Sequence, residues 1–122
     1  MKGRREKECS HGEPEARPRA AQALNLLDLV AYADSSIVSR TIAESKAGTV
    51  TLFAFAKGQG LSEHSAPYDA LVQILDGAAQ LRIGGKAVAA HKGELVIMPA
   101  NVPHALKAAQ PFKMLLMMLR AR

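Results

Sequence analysis

Tryptophan is absent from this 122-residue chain, which carries two tyrosines, three phenylalanines and one cysteine. So few rings leave little for nucleobases to stack on. The formal charge of +5 does not change that, because from Leu24 onward ten Lys or Arg stand against seven Asp or Glu. Those bases are scattered singly along the strands and form no basic helix or stripe. A solvated, mildly basic surface is therefore expected, with no nucleic-acid partner. The lone Cys9 excludes a disulfide framework within the chain and fits a reducing compartment. The apolar runs are too short for a membrane span, and no unbroken apolar stretch follows the basic start. No membrane partner and no secretory signal are expected, which makes the cytoplasm the expected location. The acids are isolated, so an oxygen-ligand calcium site has no support. Ser65 lies beside His64, but neighbours on a strand point apart, and Cys9 has no positioned partner, so no nucleophile is set up. The glycine pairs are not followed by helices and read as hairpin turns rather than phosphate loops.

What is present divides the chain in two. Residues 1–22 crowd Lys2, Arg4, Arg5, Glu6, Lys7, Glu8, Glu13, Glu15, Arg17 and Arg19 among Gly and Pro with almost nothing apolar. Such a stretch cannot bury enough surface to offset its ordering entropy. It is expected to be a flexible charged tail, disordered or loosely docked. Residues 23–122 are long enough for one domain with a real core. Asn25 can cap a helical turn through Leu26–Val30, or that run can be an edge strand; both stay open.

From there on the pattern is β. Strands are expected at Ile37–Ile42, Thr49–Phe55, Ala70–Leu75, Gln80–Ile83, Lys86–Ala90, Leu95–Met98, Ala105–Lys107 and Phe112–Leu119. Asp76-Gly77, Gly84-Gly85 and His91-Lys92-Gly93 turn the chain between them. Turns every eight to twelve residues or so, with no long helix, are the spacing of a sandwich or barrel. In the last strand Phe112, Met114, Leu116 and Met118 line one face and Leu115, Met117 and Leu119 the other. A strand apolar on both faces needs cover on both. A second subunit in a homodimer is the expected outer cover, and the tail segment is the alternative.

Two histidines stand at the lips of expected strands: His64 after Gly58-Gln59-Gly60, and His104 after Pro99-Ala100-Asn101-Val102-Pro103. The pattern around them resembles the cupins, small double-stranded β-helix (jelly-roll) barrels. Their first motif runs Gly, five residues, His-x-His, three or four residues, Glu, six residues, Gly, and here Gly58, His64 and Gly77 match. Their second runs Gly, five residues, Pro-x-Gly, two residues, His, three residues, Asn, and here Gly93, Pro99 and His104 match. The resemblance implies an all-β cupin barrel over roughly Gly48–Leu119. The chain departs from it at Ala66, Ala70 and Ala108, where the second His, the Glu and the Asn would fall, and at Asn101, which replaces the inner Gly.

For the site, the resemblance implies a divalent transition metal (Zn, Ni, Fe or Mn) on an incomplete ligand set, His64 and His104. Two neutral imidazoles suit Zn, Ni, Cu or Fe(II). Asp69, Tyr68, Glu63 and Gln73 are candidates for a further ligand. Asp69 stands first, although on a regular strand it points away from the face of Ala70 unless Pro67 causes a bulge. Phe53, Phe55, Tyr68, Val72, Gln73, Leu81, Val96 and Met98 are expected to line a pocket for a small organic ligand. His91 reads as a solvated turn residue and His11 as part of the tail. A binding module is one reading. The other is a metal-dependent dioxygenase, isomerase or decarboxylase acting on a small organic acid, sugar derivative or phenolic, and a purely structural barrel stays open beside them.

Overall fold

A computed structural model describes residue 18 and residues 20–120. The expected tail, with Cys9 and His11, falls for the most part outside the described residues. Asn25 caps a single 3-10 turn, Leu26–Asp28, its side chain accepting from the Leu27 amide at 3.2 Å. That settles the open alternative for Leu26–Val30 in favour of a helical turn.

The strands follow as β1 (Ile37–Ser45), β2 (Gly48–Phe55), β3 (Gly60–His64), β4 (Asp69–Asp76), β5 (Ala78–Ile83), β6 (Lys86–His91), β7 (Leu95–Met98), β8 (His104–Lys107) and β9 (Phe112–Leu119). They form two antiparallel sheets, ordered β1-β2-β9-β4-β7 and β3-β8-β5-β6. The two sheets face one another as the expected double-stranded β-helix. β3 is the strand the sequence pattern misses: Gly60-Leu61-Ser62-Glu63-His64 has no clean alternation and is a strand because β8 pairs with it.

The period of two sorts each strand between faces. On β4, Ala70, Val72 and Ile74 point inward and are buried, while Leu71, Gln73 and Leu75 alternate to the other side. The interior is a single cluster that includes Phe55, Phe112, Val72, Ile74, Leu81, Leu106, Met98 and Met114. Phe55 and Phe112 stack at 4.6 Å with their planes 10° apart, a geometry worth about 0.5–1.5 kcal/mol beyond burial alone.

Outside the larger sheet a second cluster forms around Val30, Leu52 and Ala54, with Leu26, Leu29, Val38, Ile42, Leu75 and Leu115 packed against it. At Leu115 the outer face of β9 is thus covered by Leu26, Leu29 and Val30, a segment that belongs to the domain and not to the expected tail. Lys113 Nζ donates to the Leu27 carbonyl at 2.7 Å, and Tyr32 Oη donates to Asp76 Oδ2 at 2.6 Å, fastening the segment down. On the rest of that face, Leu119, Leu95 and Ile97 are exposed.

Two expectations follow. Gly77 and Gly85 both have positive φ, 72° and 82°, so an alanine at either strains the backbone by about 1–3 kcal/mol. A Cβ at Gly85 meets open space, whereas one at Gly77 collides with the Pro111 carbonyl oxygen and crowds Phe112. In urea unfolding, Gly77→Ala should therefore lose clearly more stability than Gly85→Ala.

The second concerns alkaline pH. Partial burial, then the hydrogen bond to Asp76 and its negative charge, push the Tyr32 phenol well above its ordinary value of 10.0. The raised pKa contributes stability that is complete below the unfolded value and is lost as pH rises beyond it. Wild-type protein should therefore lose more stability between about pH 9 and about pH 11 than Tyr32→Phe does, both read by urea midpoint.

Candidate functional site

His64 ends β3 and His104 opens β8, and the two are direct cross-strand partners. What brings His64 inside is an irregularity. Leu61 pairs with Leu106 and His64 with His104, so two residues of β3, Ser62 and Glu63, oppose Ala105 alone. On a regular strand Leu61 and His64, three positions apart, would face opposite ways. The extra residue of the bulge restores His64 to the face of Leu61.

The imidazoles meet edge to face, with ring centroids 4.4 Å apart and planes at 70°. Each ring is fixed by the backbone two residues before it: His64 Nδ1 lies 2.8 Å from the Ser62 carbonyl oxygen and His104 Nδ1 3.2 Å from that of Val102. A carbonyl oxygen only accepts, so each Nδ1 carries a proton and donates it. In the neutral ring the lone pair is then on Nε2, the form that binds a cation. His104 is buried and His64 is exposed at the mouth.

Both rings line an apolar cavity of about 60 Å³ with Leu61, Ala66, Tyr68, Ala70, Met98, Leu106, Met114, Leu116 and Met118. At roughly 10–15 Å³ per water by the same measure, this space admits only a handful of atoms. Small-molecule sites are typically about 300–1,000 Å³. A larger hollow, of about 660 Å³, lies against the smaller sheet among Gln80, Arg82, Ala87, Ala89, Ala105 and Lys107, and no histidine or carboxylate lines it.

The candidate residues divide accordingly. Tyr68 and Met98 line the cavity with the two histidines. Phe55, Val72 and Leu81 are instead buried core, and Phe53 and Val96 pack against that core half-buried. Gln73, expected at the mouth, lies on the outer face of β4 between Leu115 and Leu95, because it alternates with the inward Val72 and Ile74. Glu63 sits in the bulge and is exposed.

Asp69 has another task. Its Oδ1 accepts from the Ala100 amide at 2.8 Å, while the Ala66 carbonyl accepts from the Asn101 amide at 2.7 Å. The loops leading to β4 and β8 are so tied together over the mouth. Asn101 has φ 64°, the left-handed conformation that asparagine tolerates better than most residues, which explains how it stands in for a glycine. Among the described residues no third His, Cys, Asp or Glu joins the pair. His91 is exposed, its ring 3.2 Å from Glu94, and the backbone amide of His91 is the first cause holding the Glu94 carboxyl below its usual range.

Sequence reasoning did not single out Leu61, Met114, Leu116 and Met118 as lining residues. Alternation along β9 places the last three on one face, but which sheet faces them is a tertiary fact.

The cupin domain family matches residues 51–118 of the chain. A conserved protein of unknown function from Streptococcus pyogenes is 32% identical over 93% of this chain and 99% of its own, with a TM-score of 0.83. A cupin 2 conserved barrel domain protein from Leptotrichia buccalis is 39% identical over 80% of this chain with a TM-score of 0.77, and the match spans 47% of its length. A cupin superfamily protein from Desulfitobacterium hafniense is 26% identical over 90% of this chain and all of its own (100%), with a TM-score of 0.80. No match is found among curated proteins. No helix among the described residues is long and apolar enough to cross a membrane.

The burial of the two rings sets the expected cost of removing them. His64→Ala should change the unfolding free energy measured in urea by no more than about 0.5 kcal/mol, as exposed substitutions do. His104→Ala empties a buried position and should cost about 1–3 kcal/mol while leaving the protein folded. Equal losses for the two variants would contradict this assignment of burial.

Proposed function

The chain belongs to the cupin family, and from that premise we propose that its barrel mouth holds one transition-metal ion between His64 and His104, with the remaining coordination positions open. One observation carries the reading. Two imidazoles 4.4 Å apart have both Nδ1 atoms committed to backbone carbonyls, which leaves both Nε2 lone pairs for a cation. The donor set fits a borderline or soft ion, because imidazole suits Zn, Cu, Fe and Ni while the lining offers no carboxylate.

In this reading His104 is the fixed ligand, buried at the start of β8, and His64 is the outer one, open to solvent. Tyr68 adds a phenol at the rim, with the Arg120 guanidinium 6.0 Å from its ring centre. A bound ion supplies Lewis acidity and open positions for water or a small donor. The apolar lining excludes bulk water, and the cavity of about 60 Å³ keeps larger organic molecules out of the barrel. The role that follows is metal binding with at most a few-atom ligand inside. An organic acid, sugar derivative or phenolic must approach from the exposed side of His64.

The test is a titration of metal-free protein with Zn(II) or Ni(II). One equivalent should bind the wild type and none the His64→Ala/His104→Ala variant. At a hundredfold excess over Kd, the ion should stabilise the wild-type fold by about 2.7 kcal/mol and leave the variant's melting unchanged. Equal behaviour of the two proteins would refute the reading.

A further inference from the structure

The cavity that holds the two imidazoles is also lined by Met98, Met114 and Met118. A single methionine in a core is ordinary gap-filling. Here the arrangement is more specific. Ala70 on β4 pairs with Met98 on β7 at one side and with Met118 on β9 at the other. Residues in register across antiparallel strands share a face, so the row Met98–Ala70–Met118 presents two thioethers around a position with no side chain beyond Cβ. Met98 is buried, Met118 is half-buried, and both face the same small space as His64 and His104.

The donors lining that space are therefore two imidazoles, three thioethers (Met98, Met114 and Met118) and the Tyr68 phenol, with no carboxylate and no thiolate among the lining residues. Hard and borderline divalent ions complete their shells with oxygen or further nitrogen donors. Thioethers select a soft ion, and cuprous copper is the soft ion to which imidazole and thioether both bind.

Building on the two-histidine metal reading, we propose that the ion selected at this site is Cu(I), held by His64 and His104 with thioether donation from Met98 and Met118. Tyr68 and the apolar remainder shield it from bulk water. The step is binding only, and no change of copper oxidation state is assigned to the protein.

Cu(I), kept reduced, is titrated against a chromophoric Cu(I) chelator, and Zn(II) against its own indicator, with three proteins: wild type, Met98→Leu/Met118→Leu and His64→Ala/His104→Ala. Leucine conserves the volume of methionine and keeps the core filled. The wild type should hold one Cu(I). The methionine variant should lose about tenfold or more in Cu(I) affinity, the measure of a lost donor, and keep its Zn(II) affinity. The histidine variant should lose both metals. A copper-edge X-ray absorption spectrum of the wild-type complex should contain a sulfur shell, a readout that does not depend on how any variant folds. A nitrogen-only shell, or a methionine variant that binds Cu(I) as tightly as the wild type, overturns the soft-metal assignment and leaves the two-histidine reading standing. A wild type that binds neither metal overturns both.

Discussion

Strand β9 is hydrogen-bonded along its length to β2 on one side and β4 on the other, and hydrophobic layers form on both of its faces. Phe112 and Met114 close the interior of the barrel, and Leu115 carries the outer layer under the N-terminal segment. A strand buried on both faces has no freedom of register, because a slip of one residue would exchange the two layers. That fixed register sets where β4 and β2 lie, and β4 in turn places β7. Met118, Ala70 and Met98 fall into one row for this reason. The mouth is built from the central strand outward.

The second constraint is local. The bulge in β3 turns His64 inward to meet His104, and two loop ties, through Ala66 and Asp69, hold the β7–β8 corner over the opening. Asp69 illustrates how a side chain that suits metal chemistry in the abstract is spent on architecture. Its carboxylate accepts the Ala100 amide and so helps position the loop that delivers His104. The mouth is preorganised by backbone hydrogen bonds more than by side-chain pairing. Both imidazoles take their orientation from carbonyls two residues back in their own segments.

Much of the barrel was legible in the residues. Asp76-Gly77, Gly84-Gly85 and His91-Lys92-Gly93 turn the chain where expected, and the β-branched and aromatic run from Thr49 to Phe55 is a strand. The resemblance to the cupin motifs at Gly58, Gly77, Gly93 and Pro99 implies a shared site for His64 and His104, and the two are cross-strand partners. Less legible was β3, whose five residues have no strand pattern of their own and depend on β8. Phe53, Phe55, Val72, Leu81 and Val96 read as pocket wall because they are apolar and inward. That pattern is the same for a wall and for a filled core, and these residues fill the core.

The sequence by itself determined the β architecture, the turns and the presence of two histidines at strand lips, because these rest on local preferences: left-handed glycines, proline corners and alternating side chains. Only the tertiary structure decided how much space remains inside, which face Gln73 takes, what Asp69 binds, and that methionines from β7 and β9 flank Ala70. Those facts depend on register between strands distant in the chain and on packing density. Neither quantity is encoded in any one segment, since each is a property of how segments fill one another's gaps.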